Sequence, residues 1–259
     1  MTQPLIVAHR SLTPGATENA RSAIALAAQS GADLIELDIR LTLDRQPVVL
    51  HDPFLRRSTR GRGWVRLWPS FALTRLPLRD AHAGDRVSSL RTILQNFPDG
   101  AQAALHLKDR AALPAVLRAV SRYGRPGRTW LWLDRPRDVY TATRTLPELR
   151  VTLLRPAGWM PHSRQSYFEE AQWVGAAAVS VPWGVIDAGL VQHAHRHHLL
   201  VFSRLERMDT LESRLDVGLG GVITSDPQSV RRQLRQRERA RSVETVDLEQ
   251  RATPTIDTD

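Results

Sequence analysis

Cysteine is absent from this chain, which excludes disulfides, thiolate metal sites and a cysteine nucleophile. With 259 residues the chain can bury a large core without such staples, and a reducing cytoplasm is the expected compartment. Long apolar runs are missing too. No stretch approaches the roughly 20 apolar residues that cross a bilayer, so no transmembrane helix is expected. The opening MTQPLIVAHR has neither a basic n-region nor an extended apolar segment, and no secretory signal is expected. No G-x-G-x-x-G follows the first apolar run, which argues against a dinucleotide fold. No G-x-S-x-G elbow supports acyl transfer.

Lysine is nearly absent. Arginine supplies almost all the positive charge behind a net +9, and Lys108 is the only lysine. A position that resists this bias reads as one that needs a compact ammonium rather than a planar guanidinium, chance survival being the alternative. The charge is concentrated in Arg56–Arg66 and Arg231–Arg241. A basic balance suits nucleic acid or anionic lipid. No zinc-finger spacing or RNP-like run accompanies it, so no nucleic-acid partner is expected. Membrane association rests only on the Arg- and Trp-containing segment Arg56–Trp68 and is the weaker expectation, since Trp64 and Trp68 read first as packing residues.

What is present alternates. Apolar strand-like runs begin at Leu5, Leu34, Ala103, Thr129, Arg150, Ala177, Leu199 and Gly221, with helical segments between most of them. Eight such units predict a (β/α)8 TIM barrel over residues 1–230, with a doubly wound open sheet as the alternative. A β-hairpin and a small insertion, about 52–88, follow the second strand. Residues 231–259 are charged and poor in apolar residues, and a tail disordered beyond a terminal helix that starts near Pro227 is expected there.

The chain is organised around Leu34–Asp52, LIELDIRLTLDRQPVVLHD. Glu36 and Asp38 stand at i and i+2 of a strand, so they share one face, while Leu37 and Ile39 share the other. The segment Thr42–Pro47 is too short for a parallel crossover, which takes about a dozen residues or more, so the chain turns back as a hairpin near Arg45. That return brings His51 to the level of Asp38. Barrel sites lie at the C-terminal ends of the strands. There the first strand offers His9 and Arg10, the second Glu36, Asp38 and, through its hairpin, His51, and the third His106 and Lys108.

These residue types suit phosphoester chemistry. Two carboxylates can hold a hard divalent cation. Two histidines can divide acid and base roles near neutral pH. Arg10 and Lys108 can hold phosphate oxygens. The cluster His193, His195, His197 and His198 belongs to the helix before the seventh strand, away from this mouth, and reads as structural.

At the same residues the chain resembles the glycerophosphodiester phosphodiesterase family. The resemblance runs in order through His9-Arg10, Glu18-Asn19, Gly31-Ala32-Asp33, Glu36-Leu37-Asp38, Thr42-Leu43-Asp44 and Val48-Val49-Leu50-His51-Asp52. It continues through Leu55 and Arg57-Ser58-Thr59 and closes at Gly221–Pro227. It implies a (β/α)8 barrel that hydrolyses glycerophosphodiesters, small molecules, to an alcohol and glycerol 3-phosphate. It implies His9 and His51 as the acid–base pair, Glu36 and Asp38 as metal ligands, and Arg10 and Lys108 as phosphate contacts. In the mechanism usual for the family, the neighbouring glycerol hydroxyl attacks phosphorus and water opens the cyclic phosphate.

Three departures qualify this. Where the family has Glu-x-Lys, with the Glu as third metal ligand, this chain has His106-Leu107-Lys108. The family metal is calcium or magnesium; histidine as a ligand shifts the expectation toward manganese, zinc or cobalt. Ser11 replaces the usual glycine after His-Arg, and Phe202-Ser203-Arg204-Leu205 replaces Trp-Thr-Val-Asn. The alternatives are a phosphate-ligand-binding barrel without catalysis and a related phospholipase acting at membranes.

Overall fold

The first strand, β1 (Leu5–Ala8), is an apolar run, LIVA, buried along almost its whole length, as a parallel strand covered by helices must be. The computed structural model describes residues 3–79, 84–154 and 164–252, with backbone alone for residue 164 and residues 241–252. Helix α1 (Arg21–Gln29) follows β1 and ends before Gly31, whose φ of +84° is a left-handed conformation that glycine adopts freely. Strand β2 (Leu34–Leu41) then turns into β3 (Pro47–Val49), one residue earlier than the expected Val48–Leu50. Arg45 makes that turn with φ +58°.

The insertion carries two short helices, α2 (Leu55–Ser58) and α3 (Ser70–Leu73). Beyond it, β4 (Ser88–Ser89) adds to the edge of β3, and helix α4 (Leu90–Gln95) begins with the Ser89 side chain accepting from Thr92 N. Strands and helices then alternate: β5 (Gln102–Leu107), α5 (Leu113–Tyr123), β6 (Thr129–Leu133), α6 (Pro136–Thr145), β7 (Arg150–Leu154) and α7 (Arg164–Trp173). The series continues with β8 (Ala178–Ser180), α8 (Ala188–Arg196), β9 (Leu200–Arg204), α9 (Leu211–Leu215), β10 (Gly221–Thr224) and α10 (Pro227–Ala252). Eight strands, β1, β2 and β5 to β10, pair in parallel, and β1–β2 pairing closes them into a TIM barrel. The expected strand starts fall within one residue of these.

Pleating sorts the side chains into two cores. Ile35, Leu37 and Ile39 face outward and pack under the helices. Val7, Leu34, Ala104, Trp130, Phe202 and Ile223 fill the interior. Phe202 needs Gly221 beside it: a Cβ there would meet the ring at 2.1 Å. The end of the barrel away from the site is plugged by Trp130, which donates to Gln102 at 3.1 Å beneath the Arg150 guanidinium.

The insertion has its own small core, in which Leu55, Val65, Leu73 and Leu78 pack with Val48, Leu50 and Ala23. Trp68 packs against it, as expected, but Trp64 is exposed and lies tilted against Phe54, ring centres 3.7 Å apart. Residues 80–83 of the insertion lie outside the described residues. The end of the chain differs from expectation. Helix α10 covers most of the stretch expected to be disordered, and Leu234 is buried in the core. Arg231 donates to Gly31 O at 2.8 Å and Asp33 Oδ1 at 2.7 Å, tying the last helix to the turn that enters β2. Packing therefore runs past residue 230; residues 253–259 lie outside the described residues. Among the described residues no helix is long and apolar enough to cross a membrane.

Candidate active site

Glu36 and Asp38 point into the barrel from β2 and are almost fully buried. Two unscreened carboxylates in such a place need partners. Asn19, just before α1, supplies one pair: its side-chain amide donates to Asp38 Oδ2 at 3.0 Å while its carbonyl accepts from Asp38 N at 3.1 Å. Glu36 Oε2 accepts from the backbone N–H of Arg10 at 2.6 Å. That bond requires the turn after β1, where Arg10 and Ser11 both take positive φ, 54° and 56°. Ser11 thus stands in a conformation that glycine adopts without cost.

His106 enters from β5, in register with Asp38. Its Nδ1 lies 3.3 Å from Glu36 Oε1 and 3.7 Å from Asp38 Oδ1. The Lys108 ammonium lies 3.0 Å from His106 Nδ1 and 3.1 Å from Asp38 Oδ1. An ammonium only donates, so His106 Nδ1 presents a lone pair, as the carboxylates do. Asp38 Oδ1 is buried, and beside the Lys108 ammonium it has no further hydrogen-bond partner. Ligand atoms of Glu36, Asp38 and His106 lie within 4.8 Å of one another, the separation of donors about 2.0–2.5 Å from a shared ion. Three acceptors this close together fit a divalent cation, beside the Lys108 ammonium.

Electrostatics splits the carboxylates. Burial, reinforced by the Asp38 charge, pushes the Glu36 carboxyl up. Burial also acts upward on Asp38, but the Lys108 charge and the Asn19 hydrogen bond lead the opposing causes and hold Asp38 below its usual value.

The histidines differ as well. His51 follows β3, where Leu50 N donates to Asp38 O at 2.9 Å and sets the level of the hairpin. The Arg40 guanidinium holds the His51 carbonyl at 2.8 Å and Asp109 at 2.6 Å. His51 Nε2 lies 2.7 Å from the Arg10 guanidinium, which can only donate, so Nδ1 carries the proton and donates to Asp52 at 2.6 Å. His9 has a buried Nδ1 without a partner. Burial, then Arg204 and Arg10, pull its pKa down to about 3. It is uncharged at neutral pH.

Arg10 is tied into the wall of the site. Besides His51 it bonds Glu18 at 3.0 Å and lies 3.6 Å from Asp38. Arg57 then bridges Glu18 and Asp52, completing a chain of charges around the mouth. A phosphate contacting Arg10 shares it with these groups.

This arrangement is found on a known scaffold. The model of the Glycerophosphoryl diester phosphodiesterase family matches residues 9–229. The chain belongs to the glycerophosphoryl diester phosphodiesterase family. A glycerophosphodiester phosphodiesterase from Caldanaerobacter subterraneus subsp. tengcongensis is 25% identical over 240 residues, covering 87% of this chain and 96% of that protein. Among solved structures, the glycerophosphodiester phosphodiesterase of Agrobacterium tumefaciens superposes with a TM-score of 0.73 at 22% identity, covering 87% of this chain and 98% of that one. An Oleispira antarctica phosphodiesterase in complex with the product sn-glycerol-3-phosphate superposes with a TM-score of 0.77 at 20% identity, over 90% and 97% of the two chains. As a member of this phosphodiesterase family the protein is a phosphoric diester hydrolase.

The structure brings His9, Arg10, Glu36, Asp38, His51, His106 and Lys108 to one end of the barrel, as strand-end placement and the hairpin implied. Residue-type reasoning missed the supports: Asn19 beneath Asp38, Glu18 and Arg57 around Arg10, and Asp52 behind His51. All four stood in the motif series, as Glu18-Asn19, His51-Asp52 and Arg57-Ser58-Thr59, and that position was the signal that could have found them. Thr224-Ser225-Asp226 at the end of β10 is structural, since Asp226 accepts from Ser229 N at 3.1 Å and caps α10. The histidines of α8 are likewise structural, His193 edge-on to Phe168 and His197 bonded to Gln172 at 2.7 Å.

Proposed function

We propose that this protein hydrolyses glycerophosphodiesters to an alcohol and glycerol 3-phosphate, with a divalent cation held by Glu36, Asp38 and His106 and with His9 and His51 as the acid–base pair. One observation carries the reading: three acceptors within 4.8 Å of one another, beside two histidines of unlike environment. The cation would neutralise phosphate charge and acidify a hydroxyl. Lys108 and the Arg10 guanidinium add positive charge for the phosphate oxygens. His9, uncharged at working pH, takes the proton of the attacking glycerol hydroxyl as the O–P bond forms. His51, when protonated on Nε2 and oriented by Asp52, gives a proton to the alcohol oxygen as the other P–O bond breaks. With the roles exchanged, water opens the cyclic phosphate. The absence of cysteine supports a reducing compartment such as the cytoplasm.

The test is release of glycerol 3-phosphate by metal-stripped protein with single cations added back. Turnover is expected with manganese, zinc or cobalt in preference to calcium, because His106 removes one negative charge and adds a nitrogen donor. His9→Ala and His51→Ala should each lower kcat by about 100-fold or more with unchanged circular dichroism. Full activity in both variants would overturn the assignment. A phosphate ligand bound without product under any cation would favour the non-catalytic barrel.

A further inference from the structure

Among the described residues, five of the nine exposed large apolar side chains gather beside the mouth. Leu43, Leu67 and Phe71 are 59–63% exposed, and Phe54 and Trp64 are exposed with them. They are neighbours in space as well as in sequence. Leu43 N donates to Trp68 O at 3.0 Å, Ser70 N donates to Asp44 at 2.8 Å, and the Phe54 and Trp64 rings lie 3.7 Å apart. The hairpin turn that bears Leu43 projects past the end of β2 where Asp38 and His51 sit, and Phe54 follows His51 by three residues. The patch therefore forms one rim of the site.

Charge accompanies it. Residues 43–75 hold seven arginines and two acids. Asp44 is engaged by Ser70 and Thr42, and Asp52 by His51 and Arg57. Arg66 and Arg75 lie over the rings of Trp64 and Phe71, at 5.2 and 5.7 Å. Arg45, Arg56, Arg60 and Arg62 are exposed and make no ion pair among the described residues. Isolated exposed apolar residues need no explanation, but a cluster interleaved with unpaired guanidinium groups does. Apolar chains that enter the acyl boundary while arginines meet anionic head groups are the signature of an interfacial membrane surface.

We propose that the rim formed by Leu43, Phe54, Trp64, Leu67 and Phe71 with the surrounding arginines docks on an anionic lipid surface, with the mouth of the barrel beside the bilayer. A second copy of the chain fits less well. A two-fold contact sets the same patch against itself and would oppose its arginines. The readout is binding, so it stands or falls separately from the phosphodiesterase reading.

The experiment is sedimentation of the full chain with vesicles of phosphatidylcholine containing about 30% phosphatidylglycerol, against phosphatidylcholine alone. Binding to the anionic vesicles is expected to be at least tenfold stronger in low salt and to fall steeply by about 0.5 M salt. Leu67→Ser with Phe71→Ser should weaken it at least tenfold, with the melting temperature unchanged because both side chains are exposed. Arg62→Glu with Arg66→Glu should do the same and also flatten the salt dependence. No binding to anionic vesicles at low salt would overturn the proposal. So would binding that ignores Leu67 and Phe71, which would mark unspecific attraction. Self-association lost in the Leu67/Phe71 variant, without vesicle binding, would assign the patch to a second copy and overturn it too.

Discussion

The two halves of the barrel mouth are built on different principles. On the side of β1, β2 and β5 the charged groups are tied to one another by side-chain hydrogen bonds: Asn19 grips Asp38, Glu18 and His51 hold Arg10, and Asp52 fixes the tautomer of His51, while His9 Nδ1 and Arg10 Nε stay without a hydrogen bond. On the side of β6 and β7 no such network forms among the described residues, although Ser203 of β9 donates to Val181 O at 2.8 Å. Trp132 Nε1 and Thr152 Oγ1, register neighbours on adjacent strands, are buried without partners, and Arg204 acts on His9 only by its charge. The first half is preorganised, which is what metal holding and proton transfer require. The second half leaves two buried polar atoms unpaired and acts on His9 through the Arg204 charge. The three departures from the family pattern divide between the halves. His106 and Ser11 alter the preorganised side, and Arg204 alters the open one.

If the first half works as a unit, its supports matter as much as its ligands. Asn19→Ala should lower divalent-metal affinity by about 10- to 100-fold, by freeing Asp38 to move and leaving Asp38 N–H unpaired. Calorimetry on stripped protein checks this, and an unchanged affinity would break the contrast between the halves.

A change in the open half should act more gently and through charge. Arg204→Val removes the repulsive charge that acts most strongly on His9, so the His9 pKa should rise from about 3 toward 6.5 without reaching it, because burial is the larger cause. The sign carries into stability. Between pH 6.5 and 3 the unfolded chain binds a proton at His9 that the folded chain refuses, so this residue makes stability fall as pH falls through that window. The variant should lose less stability on acidification than the parent, both stripped of metal. Nuclear magnetic resonance titration of His9 and urea melts at about pH 7 and about pH 4.5, either side of the fall, would show it. A His9 titration unmoved by the substitution would remove Arg204 from the site's electrostatics.

The smallest effect belongs to the backbone. Ser11→Gly restores a residue suited to φ +56° and should stabilise the fold by no more than about 1 kcal/mol, partly offset by loss of the Ser11 Oγ bond to Arg10 O. A clear loss of stability in denaturant would mean that this hydroxyl, and not the turn conformation, governs the β1 end of the site.

Much of this was legible beforehand for local reasons. Period-two alternation put Glu36 and Asp38 on one face, and a short Thr42–Pro47 link could only be a hairpin, so His51 had to return. Alternating strands and helices implied the barrel. Legibility failed where partners are distant in sequence. Nothing in residues 231–240 says that Arg231 will meet Asp33, so a charged helix looked like a tail. Nothing in Arg56–Trp68 distinguished Trp68, which packs, from Trp64, which does not.

Sequence alone determined the architecture, the family and the cast of ionisable groups, because periodicity and motif order are carried by neighbours along the chain. Tertiary structure decided their condition: which carboxylate is raised and which lowered, which histidine is uncharged, which guanidinium is committed and which apolar side chains remain in water. Those depend on burial and on charges brought within a few ångströms from distant segments, and no local pattern encodes such distances.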